Sequence, residues 1–290
     1  MKLLLKFNFV LSLVFGIGFL ATGYFCNKLL QQNAKAEVQE NARIVMESAL
    51  AVRNYTATEI KPLLETQIKY NFLPQMVSAY SANAYFRTLQ KKFPEYTYKE
   101  ATLNPTNPVD RAVDWEADIV SEFRRTPDRA EIVVERDTPT GRFMYMARPL
   151  KIPLPGCLNC HDTPEGAPAT VIAKYGNANG FGWKLNDIVG AQIVSVPTRL
   201  PLQRANGVFF TFMSSLAATF VVFVLAISAL LIFLVIRPVK RLSSLATKVS
   251  LGDLEAGEFQ IAGRDEIAEL SHSFDRMRKS LVEAMKMLGT

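Results

Sequence analysis

Two long runs without a charged side chain dominate this chain, Phe7 to Asn27 and Ala205 to Ile236. Each is long enough to cross a bilayer core, which takes ~20 residues of helix. Between them the pattern changes. Glu37 to Arg53 sets Ala42, Ile44, Val45, Ala49 and Val52 at helical spacing with no Pro or Gly. Thr58 to Phe72 and Pro74 to Phe93 predict two further helices, with Pro74 near a first helical position. Tyr96 to Leu103, Glu131 to Asp137, Arg142 to Leu150 and Ala191 to Val196 are rich in β-branched and aromatic residues and predict strands. Thr138-Pro139-Thr140-Gly141 predicts a hairpin turn between two of them. Helices followed by an antiparallel sheet make the fold class α+β. Beyond the second run, Ile267, Leu270, Phe274, Met277, Leu281, Ala284 and Leu288 advance in alternating three- and four-residue steps, the seam of a coiled coil.

The charges orient this plan. Lys2 and Lys6 precede the first run, and Arg237, Lys240 and Arg241 follow the second. Basic residues favour the cytoplasmic side, so both termini are expected in the cytoplasm and the sheet-containing region outside. The expected division is a transmembrane helix at 7–27, an extracytoplasmic domain at 28–204, a second transmembrane helix at 207–236 and a cytoplasmic module at 237–290, in a bacterial cytoplasmic membrane. A cleaved signal peptide fits less well, because Ala21 to Cys26 lacks a small-x-small site. Tyr24 and Phe25 likewise stand where a lipoprotein site needs small residues. With 33 basic and 27 acidic side chains, and no long basic run, a nucleic-acid binder is not indicated. The hydrophobic share of 49% excludes a disordered chain.

The sharpest chemical signal is Cys157-Leu158-Asn159-Cys160-His161. C-x-x-C-H is the spacing of covalent haem c attachment. Two thiols three residues apart can each form a thioether to a porphyrin vinyl group, and the adjacent His161 is carried to the iron as proximal ligand. A zinc site would need two more ligands, and the external region has no other Cys or His beyond the membrane-boundary Cys26. A thioredoxin-type dithiol would sit in a βαβ context, which this pattern lacks. The distal ligand stays open among a Met, a Lys, a Tyr, a water or none. Met46, Met76, Met144 and Met146 are the external methionines, with Met144 and Met146 on one face of a predicted strand. Gly180, Phe181 and Trp183 are candidate haem contacts, or else form a tight loop around a buried Trp.

Several stretches carry a family resemblance. They are Ser81-Ala82, Tyr98 through Pro108, Asp114-Trp115-Glu116, Cys157 through Pro168, Tyr175-Gly176, Gly180 through Lys184, and Gly190-Ala191-Gln192 on to Val196-Pro197. Together they resemble the c-type haem, PAS-like sensor domain first characterised in a cyanobacterial haem protein, over residues 40 to 198. The resemblance implies a PAS-like fold, covalent haem at Cys157, Cys160 and His161, and redox or gas sensing instead of turnover. In that relative a cysteine of the N-terminal helix is the distal ligand. This chain has no external cysteine to match it, so that ligand is not carried over.

Residues 236–288 resemble the HAMP signal-conversion module. Ile236-Arg237-Pro238 opens it, Gly252-Asp253 breaks its first helix, and Asp265-Glu266-Ile267 opens the second. The resemblance implies a parallel four-helix bundle built by two chains, hence a homodimer. The expected function is a membrane-bound haem-based redox or diatomic-gas sensor, signalling through the second span to an unidentified cytoplasmic output protein. The alternative is a membrane-anchored c-type electron carrier. No acid–base pair, activated nucleophile or phosphate-binding loop points to an enzyme.

Overall fold

The structure, a computed structural model, describes residues 3–253, 263 and 265–287. It divides into two units, residues 27–208 and residues 1–26 with 209–290.

The larger unit is built on four antiparallel strands: β1 (Thr97–Thr102), β2 (Ile132–Thr138), β3 (Gly141–Lys151) and β4 (Ile188–Pro197). Their order is β1-β4-β3-β2, so the last strand is inserted beside the first. Tyr98 and Met146 both pair with Val194. Pro139 and Thr140 turn the β2–β3 hairpin, where Thr138 pairs with Gly141. Side chains alternate across a sheet, and both faces are covered here. One face carries Tyr98, Met144, Met146, Val194 and Val196 beneath Val38, Ala42, Met46 and Ala49 of the first helix, α1 (Leu3–Tyr55), and Ala82 and Phe86 of α2 (Ser78–Gln90). The other face carries Ala101, Ile132, Ala147, Ala191 and Ile193 beneath Ile119, Val120 and Phe123 of α3 (Asp114–Arg125). Every residue of β4 is buried, as a central strand packed on both faces requires.

α3 is absent from the sequence expectation. Asp114 and Glu116 lie in its first turn and Arg124 and Arg125 in its last, matching the helix dipole. Glu116 also accepts from the Val113 N–H at 2.9 Å. Two expected helices need correction. Thr58 to Phe72 is not one helix: a π turn (Thr56–Ile60), one α turn (Lys61–Leu64) and a 3₁₀ turn (Glu65–Lys69) follow one another. Pro62 has no N–H for the carbonyl of Thr58, so the regular ladder cannot continue. Pro74 to Phe93 is also interrupted. Pro74–Met76 is a 3₁₀ turn, and Val77 is extended before α2 begins. A further short helix, α4 (Ala169–Tyr175), follows the Cys157–His161 turn.

In the smaller unit, the N-terminal part of α1 packs on α5 (Arg199–Leu230). Phe15 stacks on Phe220 at 3.6 Å, Ser228 donates to Asn8 at 3.1 Å, and a Cβ on Gly23 would stand 3.2 Å from Met213. Both helices are long and apolar enough to cross a membrane. A π turn (Leu231–Ile236) joins α5 to α6 (Arg237–Ser250), which has Pro238 in its first turn. The wider turn absorbs the hydrogen bond that Pro238 cannot donate. Gly252, at φ +98°, ends α6, and its N–H donates to Val249 O at 3.1 Å. Asp265 caps α7 (Glu266–Met287) by accepting from the Ala268 N–H at 2.8 Å. Leu242, Val249 and Ala268 are buried in one chain, whereas Leu270, Met277 and Leu281 of the expected seam stay exposed. Leu288 and most of the connector lie outside the described residues.

Candidate haem-attachment site

The segment Pro155-Gly156-Cys157 is a 3₁₀ turn that runs directly into one α turn, Leu158–His161. Cys157 and Cys160 are free thiols, both half-buried. Burial pushes the Cys160 thiol up, Lys61 pulls it back down, and Cys157 pushes it up again. The helical turn brings the two sulfurs and the imidazole to one short element, the donor set that two vinyl groups and an iron require.

His161 is held from three sides. Its Nδ1 lies 2.8 Å from the carbonyl of Gly180. A carbonyl can only accept, so Nδ1 carries the proton. Burial lowers the His161 pKa below its usual value, and the Gly180 bond offsets this in part. The neutral imidazole therefore presents an unprotonated Nε2, the state that binds a metal. The Thr106 hydroxyl stands 3.4 Å from the same Nδ1. The Trp183 ring stacks on the imidazole at 4.0 Å and 12°. Asn104 brackets the loop: its side chain accepts from Gly180 N at 3.3 Å and donates to Phe181 O at 3.4 Å. Gly182 N donates to Asp162 O and Trp183 N to His161 O, so the loop is also tied to the haem-motif turn by its backbone.

This places the candidates. Gly180 acts through its carbonyl on His161. Trp183 is half-buried and packs on His161, not deep in a core as a buried Trp would. Phe181 is half-buried and held by Asn104. Of the methionines, Met46, Met144 and Met146 belong to the apolar cluster between α1, α2 and the sheet, which includes no residue of the 155–183 segment. Their neighbours there are Phe86, Tyr98 and valines, so they are core residues. Met76 alone lies outside that cluster, buried in the 3₁₀ turn that packs against Thr56–Ile60.

The residues of Asn104 to Asp110 do more than make a rigid turn. Asp110 ends this stretch, and Asn83 donates to it at 3.4 Å. Burial, with Glu100 nearby, raises its pKa from 3.8 to about 6, against the pull of Lys99, Arg87 and Asn83. The folded state therefore binds more protons than the unfolded chain between these values. This contribution to stability is present in acid and lost as pH rises from about 4 to about 6. Asp110→Asn is expected to flatten that part of the stability–pH curve, as measured by urea unfolding of both proteins across the window.

A mixed helix and antiparallel-sheet domain bearing such a turn, followed by a helical signalling module, defines the class. The Tll0287-like family matches residues 31–197, more than half of the chain, and this chain belongs to it. The HAMP domain family matches residues 230–283, starting inside the second apolar helix. A solved structure, that of the cyanobacterial heme-protein Tll0287, aligns at 15% identity over 56% of this chain and 95% of that one, with a TM-score of 0.44. At that distance it places no residue. No curated protein matches the chain.

Proposed function

We propose that this protein is a membrane-bound haem sensor that passes a conformational signal to its HAMP module and to a cytoplasmic output partner. The observation that carries the reading is an oriented His161 beside Cys157 and Cys160, in one chain with a HAMP module. Cys157 and Cys160 would hold haem c through two thioethers, and His161 would ligate its iron. Bound there, haem supplies an iron able to change redox state or take up a diatomic gas.

The chain's own residues would convert that change into motion. Gly180 and Trp183 fix the imidazole, so a displacement of His161 is felt by the 180–183 loop. That loop leads into β4, and β4 leads into α5 with only Thr198 between them. Thr198 is tied to the Arg142 carbonyl by its N–H at 3.2 Å and its hydroxyl at 2.9 Å, which leaves little slack. α5 continues through the π turn into the HAMP helices. A ligand shifts such an equilibrium only by its differential affinity for the two states. The basic flanks favour a bacterial inner-membrane protein with the PAS-like domain in the periplasm, where haem is attached covalently. The exposed Leu270, Met277 and Leu281 suit a second copy of the chain, giving a homodimer.

The test has two stages. Protein matured in cells that attach haem c should gain the mass of one haem and keep its haem stain on a denaturing gel. The Cys157→Ala/Cys160→Ala variant should lose both. Spin labels at Glu283 should then report different inter-chain distances in oxidised, reduced and carbon-monoxide-treated protein. Identical distances in all three, with rapid electron exchange with a soluble cytochrome, would leave the electron-carrier reading in place of the sensor.

A further inference from the structure

Asn8 is the one side-chain amide between Phe7 and Cys26, inside a run read as a membrane span. A Ser or Thr in a helix can return its hydroxyl to the carbonyl four residues back, but an amide, with two donors and an acceptor, is not satisfied that way. Asn8 has a partner on the other long helix, since the Ser228 hydroxyl donates to its Oδ1 at 3.1 Å. Nine residues, or ~13 Å of helix, separate Ser228 from Arg237, the first charge after the second run. Lys6 lies two residues before Asn8, on a stem long enough to carry its charge to the membrane surface. The pair therefore sits in lipid, away from competing water.

Two apolar contacts of the same helices agree with this register. The Phe15 ring stacks on Phe220 at 3.6 Å, and Met213 Cε fills the space over Gly23, 3.2 Å from where a Cβ would lie. Going up α1 by seven and then eight residues, from Asn8 to Phe15 to Gly23, goes down α5 by eight and then seven, from Ser228 to Phe220 to Met213. That is the near-heptad spacing of two helices packed side by side at a shallow angle. In the larger unit a second polar contact joins α1 and α5, where Gln31 donates to Asn206 at 2.7 Å. Neighbouring registers do not serve. Sliding α5 by one turn puts Val224, Leu225, Leu231 or Ile232 opposite Asn8, and none of these side chains can donate. An amide left unpaired in lipid is costly. The same slip takes Met213 off Gly23 and onto Phe19, Leu20 or Cys26. We propose that Asn8 and Ser228 form an intramembrane register lock, which holds α5 at one sliding position along α1. A signal from the haem domain then moves the two helices together, and not α5 past α1 within one chain. This deepens the sensor reading and rests on its membrane-spanning part.

The experiment uses the full chain, matured with haem and placed in lipid bilayers, on a Cys26→Ser background. Spin labels go on Leu5→Cys and Phe212→Cys. Both positions are exposed, and they stand far apart along the helix axes, so sliding changes the distance between them. Labelled chains are diluted with unlabelled ones, which leaves only distances within one chain. The otherwise wild-type chain should give one narrow distance, the same in ferric, ferrous and carbon-monoxide-treated protein. Asn8→Leu should add a second population ~5 Å away, one turn of helix. Exchanging the partners, Asn8→Ser with Ser228→Asn, should restore the single distance. A wild-type distance that shifts by a turn with haem state would overturn the proposal, as would an Asn8→Leu protein as narrow as wild type. A label at Ile17, midway along the first run, that a water-soluble nickel chelate broadens would instead sink the membrane reading, and this inference with it.

Discussion

Replacing Glu100 by Ala is expected to produce a loss of stability as large as truncating a fully buried core aromatic. Glu100 is only 3% exposed, on the sheet face under α1. Both of its oxygens accept from the Arg53 guanidinium near the C-terminal end of α1. The Tyr98 hydroxyl donates to it at 2.8 Å, and Gln192 donates to that hydroxyl at 3.4 Å. Burial would pull the Arg53 pKa down, yet Glu100 and Tyr98 hold it above its usual value. The same burial and the same carboxylate push the Tyr98 hydroxyl well up. Removing Glu100 leaves a guanidinium and a phenol in an apolar setting. Breaking a buried pair by removing one partner costs roughly 3–5 kcal/mol, because the other charge stays buried. At roughly 2–4 °C per kcal/mol for a domain of this size, the melting temperature should fall by about 6–20 °C. The double variant Arg53→Leu/Glu100→Leu removes both charges and should lose far less. Thermal melts followed by circular dichroism decide the point. A double variant as unstable as Glu100→Ala would mean that packing, not the orphaned charge, sets the loss.

Gly180→Ala is expected to disorganise the proximal side of the site. Gly180 has φ +86°, in the left-handed region. A Cβ there would stand 2.8 Å from the Thr106 Cα, and closer still to its hydroxyl. Truncating Thr106 cannot relieve a collision with its backbone. Gly182 offers the control, since it has φ +77° and an added Cβ there would meet nothing within 4 Å. Gly182→Ala should show only the left-handed cost, about 1–2 kcal/mol. Gly180→Ala should show that cost plus the movement of the 104–106 segment away from the loop. Its carbonyl then leaves Nδ1 of His161, and the imidazole loses its fixed tautomer. The expected result is a lower melting temperature for Gly180→Ala than for Gly182→Ala. The two proteins should also differ in haem spectrum, with the Gly182 variant close to wild type. Equal melting temperatures and equal spectra would show that the 104–106 contact does not hold the loop.

The four strands are legible because each is a short run of β-branched and aromatic residues, and all four end close to where the pattern predicts. The two apolar runs are legible from length alone. Thr58 to Phe72 reads as one helix and is not, because Pro62 interrupts the ladder in a way that spacing of apolar residues does not register. α3 escapes the pattern because its apolar face, Ile119, Val120 and Phe123, is narrow and the rest of the helix is charged. Glu100 carries a signal that sequence reasoning can use. It shares with Tyr98 the strand face that packs beneath α1, and a carboxylate at an inward position needs a partner. Nothing in the spacing names Arg53 as that partner, since the two are 47 residues apart.

The local chemistry of this protein is written in adjacent residues. The Cys157, Cys160 and His161 triad, the hairpin at Thr138 to Gly141 and the break at Gly252 depend only on neighbours along the chain, and one helical or hairpin turn brings such neighbours together. The tertiary structure alone decided which carbonyl orients His161, that Trp183 stacks on it, that three methionines belong to the core, and that Lys61 stands by the haem-motif turn. Those contacts join segments far apart in sequence. Their pairing is set by the order β1-β4-β3-β2 and by the way helices close over both faces of the sheet, and periodicity along a chain carries no record of which distant segment it will meet.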